Sequence, residues 1–212
     1  MSRILKTTGL YGLLAIDYCA IVTRRLFKSD IHANGFWLDE SWLGHYFDDS
    51  MAEVLSQAVQ GKTLIDFGCG KGKYVDFLTK RGIACRGYDG NPLTPQIAGN
   101  CAVADLTQRL EFEPADWVMS LEVAEHIPAE LEAPFLDNVT RHARQGVVLS
   151  WALPGQPGRG HVNCQSNDYV RSRLKALGFI PDPALEQFLR KAAWLPWFRY
   201  TVMAFSRESP AL

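Results

Sequence analysis

Hydrophobic positions along the chain fall into short apolar runs that alternate with stretches of helical spacing. The run Thr63-Leu64-Ile65-Asp66-Phe67 stops at Gly68 and predicts a buried strand. Residues 72–81 place Tyr74, Val75, Phe77 and Leu78 at helical spacing. The alternation then repeats. Strands are predicted over 84–88, ending at Asp89, over 101–104, ending at Asp105, and over 117–121, ending at Glu122. A helix over 129–142, bent at Pro134, leads to a strand over 146–151. Helices over 167–177 and 184–193 flank a brief strand at 179–180, and β-forming residues over 198–205 predict the last strand. Upstream, 31–47 is rich in aromatics (Phe36, Trp37, Trp42, Tyr46, Phe47) and reads as a loop entering a helix near 48–60. The segment 153–161 is too rich in glycine and proline for regular structure.

Strands alternating with helices imply an α/β fold, a doubly wound and mostly parallel sheet covered on both faces. Ligands of such sheets sit beyond the strand C-terminal ends. Gly68, Asp89, Asp105 and Glu122 all fall at those ends. The 212 residues suit one such domain over 61–212, preceded by a helical or lid-forming extension over 1–60.

Composition narrows the classes of partner. Hydrophobic residues make up 47% of the chain, enough for one real core. The 22 basic and 23 acidic residues nearly cancel, which argues against general electrostatic binding of nucleic acid. Five cysteines at irregular spacing, with no CxxC pair, suggest neither a disulfide framework nor a zinc site. They fit a reducing compartment, and so a cytoplasmic location. Residues 8–22 are largely apolar and have basic flanks, but the run is short for a membrane span and carries Asp17 in its middle. Packing on the domain is favoured there over membrane contact.

The sharpest chemical signal is Leu64-Ile65-Asp66-Phe67-Gly68-Cys69-Gly70-Lys71-Gly72. Glycines directly after a buried strand let a backbone approach a ligand closely, and the next helix offers free N–H groups. Asp89 ends the following strand 21 residues after Gly68, where a carboxylate can hold the two hydroxyls of a ribose. A nicotinamide enzyme would place a third glycine where Lys73 stands. The residues therefore point to nucleoside binding.

The glycine motif, together with Tyr88-Asp89-Gly90, Ala104-Asp105-Leu106 and Ser120-Leu121-Glu122-Val123-Ala124-Glu125-His126-Ile127-Pro128, resembles the class I S-adenosylmethionine-dependent methyltransferases. The likeness runs from about residue 61 to 206 and implies a Rossmann-like sheet with an antiparallel final strand. It implies S-adenosyl-L-methionine as cofactor. Gly68, Gly70 and the backbone at Cys69 would line its methionine part, and Asp66 would organise that loop and the cofactor amino group. Asp89, next to Gly90, would hold the ribose. Asp105 and Leu106 would meet the adenine, and Leu121 and Glu122 would flank the cofactor.

Transfer from a sulfonium is an in-line displacement that requires no metal. His126, just past the fourth strand, is the candidate base. The loop carrying His161 and Asn163 resembles a Pro-Gly…Gly-His-Val-Asn pattern in one branch of these enzymes, and the two residues are expected to bind acceptor hydroxyls. His142 reads as a helix-surface residue. An Asn/Asp-Pro-Pro-Tyr motif and a Pro-Cys nucleophile are both missing, which argues against nucleic acid bases as acceptors. The expected acceptor is a small molecule or a sugar or glycan hydroxyl. The alternative is a non-catalytic, cofactor-binding scaffold of the same fold.

Overall fold

A computed structural model describes residues 31–38, 45–97 and 99–208. The apolar run at 8–22 lies outside the described residues. Among those described, no helix is long and apolar enough to cross a membrane. Cys69, Cys85, Cys101 and Cys164 are free thiols.

Helix α1 (Asp49–Ala58) precedes β1 (Thr63–Phe67), α2 (Lys73–Thr79), β2 (Ala84–Asp89), the short α3 (Thr94–Ile97) and β3 (Cys101–Val103). Then come β4 (Ala115–Leu121), two 3-10 turns (Ala124–His126 and Ala129–Leu131), α4 (Glu132–Arg141) and β5 (Ala143–Ser150). The chain continues with α5 (Asn167–Ala176), β6 (Phe179–Pro181), α6 (Pro183–Ala192), α7 (Phe198–Thr201) and β7 (Met203–Arg207). The seven strands lie in the order β3-β2-β1-β4-β5-β7-β6. The first five are mutually parallel, and β7 runs antiparallel to both of its neighbours. Strand order reverses between β1 and β4, so a ligand crevice opens beyond their C-terminal ends.

Successive residues of a strand face opposite sides of the sheet, and that alternation divides the core in two. Leu64, Met119 and Val148 join Met51 and Leu55 of α1, Val75 and Leu78 of α2 and Leu189 of α6. Ile65, Val118, Val147 and Leu149 join Phe135 and Val139 of α4 and Val170 and Leu174 of α5. Asp48 caps α1 by accepting from Met51 N, while its other oxygen accepts from Trp194 N and Leu195 N at 2.7 and 2.8 Å. One buried carboxylate thus fastens the entry of the domain to its C-terminal part.

Three expectations are corrected. Pro134 does not bend a helix: the 129–131 turn is separate, and Pro134 lies in the first turn of α4, where its missing N–H costs nothing. The strand expected over 198–205 is α7 followed by β7. Tyr200 N and Thr201 N both donate to Trp197 O, winding a turn that buries Phe198, so packing overrides β propensity. His142 is 2% exposed rather than on the helix surface. It ends α4, where Phe112 N donates to its Nε2 and its Nδ1 lies 2.7 Å from Asn138 O.

Candidate active site

The crevice is built from the end of β1. Gly68, Gly70 and Gly72 all have positive φ, and Gly68 N and Cys69 N donate to Tyr88 O on β2 at 2.7 and 3.1 Å. Any side chain at Gly68 would collide with Val123. Gly70 N donates to Asp89 Oδ2 at 2.8 Å, and Asn91 N donates to Oδ1 at 2.9 Å. Asp89 thus ties the glycine loop to the end of β2. Burial raises its pKa, and these two hydrogen bonds oppose the rise. Asp66 is 3% exposed on β1. Burial, with Cys101 and Asp89 adding to it, pushes its carboxyl well above the ordinary range.

Beyond β3, Asp105 Oδ1 accepts from Thr107 N and Oγ1. Its Oδ2 accepts from Asn34 Nδ2 at 2.7 Å. Burial works against the Asp105 charge, but hydrogen bonds from Thr107, Asn34 and Gln108 outweigh it and hold the carboxyl below its usual pKa. Leu106 is buried in the core beneath it. Leu121 ends β4, and Glu122, just past it, holds a strained φ of 54°. Glu122 N donates to Ser150 Oγ, and the carboxylate accepts from Gln156 Nε2 and Thr201 Oγ1.

Asn34 belongs to a small loop that lies on the cradle. Ile31 and Trp37 form a β-bridge. His32 N donates to Phe36 O, Gly35 N to His32 O, and the rings of His32 and Phe36 stack at 4.3 Å. Phe36 packs on the bare Cα of Gly90, where a Cβ would come within 2.3 Å of it. His45 packs on Gly70 in the same way, at 2.4 Å. The upstream aromatic segment therefore covers the strand-end residues already, and Asn34 presents an amide N–H to Asp105.

On the other side of β4 the structure brings together Glu125, His126 and His161. Both Glu125 oxygens are buried without a hydrogen-bond partner among the described residues. His126 Nδ1 lies 3.2 Å from Gly160 O, and His161 Nδ1 lies 3.1 Å from Gln156 O. A carbonyl only accepts, so each Nδ1 carries the proton and each Nε2 carries a lone pair. Burial, with repulsion from His161, His45 and Arg159, lowers the His126 pKa to about 3, so the ring is neutral at ordinary pH. Trp37 meets the His126 ring edge-on at 5.7 Å, and Arg159 stacks over Trp37.

Asn163 is not brought to this cluster. Its Nδ2 donates to buried Glu132 at 3.1 Å and its Oδ1 accepts from Gln165 at 2.7 Å. Both ends of the amide are engaged with protein, so it braces the loop. Val162 N and Asn163 N also donate to Glu125 O, stapling the 153–163 loop to the turn after β4. Asn34, Phe36, His45 and Glu125 were not expected as site residues. Glu125 had a signal, as an acid beside His126 just past a strand end. Asn34 had none beyond its place in an aromatic segment.

Residues 40–192 match the family model described as "Methyltransferase domain". The chain belongs to this methyltransferase family. Its fold is the class I Rossmann-like one, shared with solved structures of low sequence identity. Magnesium protoporphyrin IX methyltransferase from Synechocystis PCC 6803, with bound SAM, is 20% identical over 76% of this chain and 77% of that one, with a TM-score of 0.56. An amino pentose methyltransferase of calicheamicin biosynthesis from Micromonospora echinaspora is 14% identical over 77% and 92%, with a TM-score of 0.57. The 1,6-didemethyltoxoflavin-N1-methyltransferase of Burkholderia thailandensis is 15% identical over 91% and 89%, with a TM-score of 0.54. No curated protein matches the sequence. Likeness of this kind shows the fold and leaves the acceptor open.

Proposed function

We propose that this methyltransferase moves a methyl group from S-adenosylmethionine to a hydroxyl of a small molecule or sugar. The observation that carries the reading is the Asp89 carboxylate bonded across the bare glycine loop at the point where strand order reverses. The residues fit the cofactor. Gly68 and Gly70 would take its methionine part, Asp66 its amino group, Asp89 the ribose and Asp105 the adenine amine. Asp105 already accepts from an amide N–H of Asn34, the same kind of donor as that amine. Phe36 and His45 are side chains rather than backbone where they cover Gly90 and Gly70, so both can give way to a ligand.

When bound, S-adenosylmethionine supplies an electrophilic methyl on a sulfonium, which leaves without help from an acid. The protein's work is then to orient the acceptor, exclude water and receive a hydrogen bond from the hydroxyl. The neutral Nε2 atoms of His126 and His161 and the Glu125 carboxyl are acceptors suited to an O–H donor. His126 and His161 would hold the hydroxyl by its hydrogen and so orient the oxygen lone pair, and the proton would be released to solvent.

Two measurements test this. In the first, S-adenosylhomocysteine is titrated into the parent and into Asp89→Ala. The variant should bind more weakly by about 1–3 kcal/mol, because a buried donor set loses its acceptor. Equal affinity in a folded variant would overturn the ribose assignment. In the second, methyl-labelled cofactor is incubated with the protein and fractionated metabolites. Label should appear in an alkali-stable ether, and label confined to amines would overturn the hydroxyl assignment.

A further inference from the structure

We propose that Glu125, His126 and His161 form a binding site for a divalent transition-metal ion of the zinc, manganese, cobalt or iron(II) kind. A ring nitrogen of each histidine and a carboxylate oxygen of Glu125 lie within 4.8 Å of one another. His161 Nε2 is 3.9 Å from Glu125 Oε1. Ligand atoms around such an ion sit at about 2.0–2.2 Å from it, and so about 3–4 Å from each other. The cluster reaches that spacing with small side-chain adjustments.

Three independent features point to a cation rather than to chance proximity. The first is Glu125 itself, fully buried, with neither oxygen in a well-formed hydrogen bond among the described residues and only the Ala152 backbone and the Glu122 carboxyl close to it. Burying a carboxylate is costly unless a cation or donors offset it. Arg159, the cation of the same loop, stacks on Trp37. Burial, and then the neighbouring Glu122, push the Glu125 carboxyl well above its ordinary range, and Glu122, just past β4, is itself bonded to Gln156 and Thr201.

The second is the orientation of both imidazoles. Gly160 O and Gln156 O take the two Nδ1–H groups, leaving Nε2 lone pairs on both rings. Metal-ligating histidines are held in this way, with the second nitrogen donating to a carbonyl or carboxylate. The third is the absence of a side chain at Gly158. A Cβ there would stand 2.0 Å from His161 Nε2, so only glycine leaves that ring in place.

Two imidazoles and one carboxylate favour borderline transition metals over magnesium or calcium, which prefer all-oxygen shells. Three protein ligands leave coordination positions open. Resting on the hydroxyl-acceptor reading above, an acceptor oxygen is the fitting occupant of one of them, bound to the ion in place of a direct hydrogen bond to the two Nε2 atoms. There the ion lowers the pKa of the hydroxyl, which releases its proton to solvent. The sulfonium leaving group needs no metal, so the ion acts on the acceptor alone.

The test uses the full chain after chelator treatment, without cofactor or acceptor. Co²⁺ is titrated by visible absorption and Zn²⁺ by calorimetry. One equivalent of each should bind, with Co²⁺ giving a ligand-field spectrum and Mg²⁺ binding far more weakly. Loss of an outer-shell partner costs about 10–100-fold in metal affinity, so Glu125→Gln and His161→Ala should each cost at least about 100-fold. Gly158→Ala, which leaves all three ligands in the chain but displaces the His161 ring, should weaken binding as well. If either ligand variant fails to fold, Gly158→Ala carries the test. No saturable Co²⁺ or Zn²⁺ binding by the parent, or binding that survives all folded variants, would overturn the site. S-adenosylhomocysteine affinity, measured in parallel, keeps the readings apart: metal bound without nucleoside affinity counts against the methyl-transfer reading and leaves the metal site standing.

Discussion

Single residues in this crevice divide by what the sequence can reveal. The strand-end positions of Gly68, Gly70, Asp89 and Asp105 are legible because they depend on local order, a bare turn or carboxylate directly after a strand. Asn163 misleads for the opposite reason. Its hydrogen bonds go to Glu132 and Gln165, and the link to Glu132 is visible only after α4 and the 153–163 loop have packed. Asp66 is legible as a motif residue, yet its energetics come from burial. A buried carboxyl with a raised folded-state pKa contributes stability that is fully present below the unfolded value near 4 and is lost as pH rises through the folded value. Each unit of that shift corresponds to about 1.4 kcal/mol. Asp66→Asn, isosteric and uncharged, should therefore have a flatter profile of Tm against pH from 5 to 9 and exceed the parent in Tm at the alkaline end. Parallel profiles would show that the carboxyl carries no such cost. The fall of the His126 pKa to about 3 likewise removes any titration of that ring from the neutral range.

At the scale of elements, the strands, and most helices to within a few residues, follow from hydrophobic periodicity. The failures occur where side chains from distant segments decide the local conformation. The 198–201 turn is helical because Phe198 and the adjoining Leu195 are needed in the core, a demand that β-forming side chains do not announce. The sequence suggests a lid-forming segment that includes 31–47. Its residues 31–37 lie on the cradle in this structure, with Asn34 on Asp105 and Phe36 on Gly90. Occupying the cradle reduces the binding-competent fraction, and apparent affinity falls with that fraction. Asn34→Ala with Phe36→Ala should accelerate S-adenosylhomocysteine association and raise its affinity about 3–10-fold, since a hydrogen bond to a charged group contributes about 1.5–3 kcal/mol and water replaces part of it. Stopped-flow fluorescence of the nearby tryptophans reads this directly. A fall in affinity would mean that the loop clamps bound ligand rather than competing with it.

Across the whole molecule, helices on both faces share one sheet, and α1 packs into the same cluster as α6. Such a layered core should melt in a single transition. Saturation with S-adenosylhomocysteine at 100 times its Kd adds about 2.7 kcal/mol, a rise in Tm of about 5–10 °C for a chain of this size. Calorimetry showing two transitions, or no rise at saturation, would contradict the shared core or the nucleoside site respectively.

The position of β7 has a consequence for synthesis. It pairs with both β5 and β6 although it is the last of these seven to emerge. From the moment Ser150 leaves the ribosome until Met203 follows, β5 has no partner on that side, and its N–H and C=O groups form an open edge. Val147, Val148 and Leu149 lie along that edge. The nascent chain is thus exposed to mispairing through one definite window, and the arrival of 203–207 closes it.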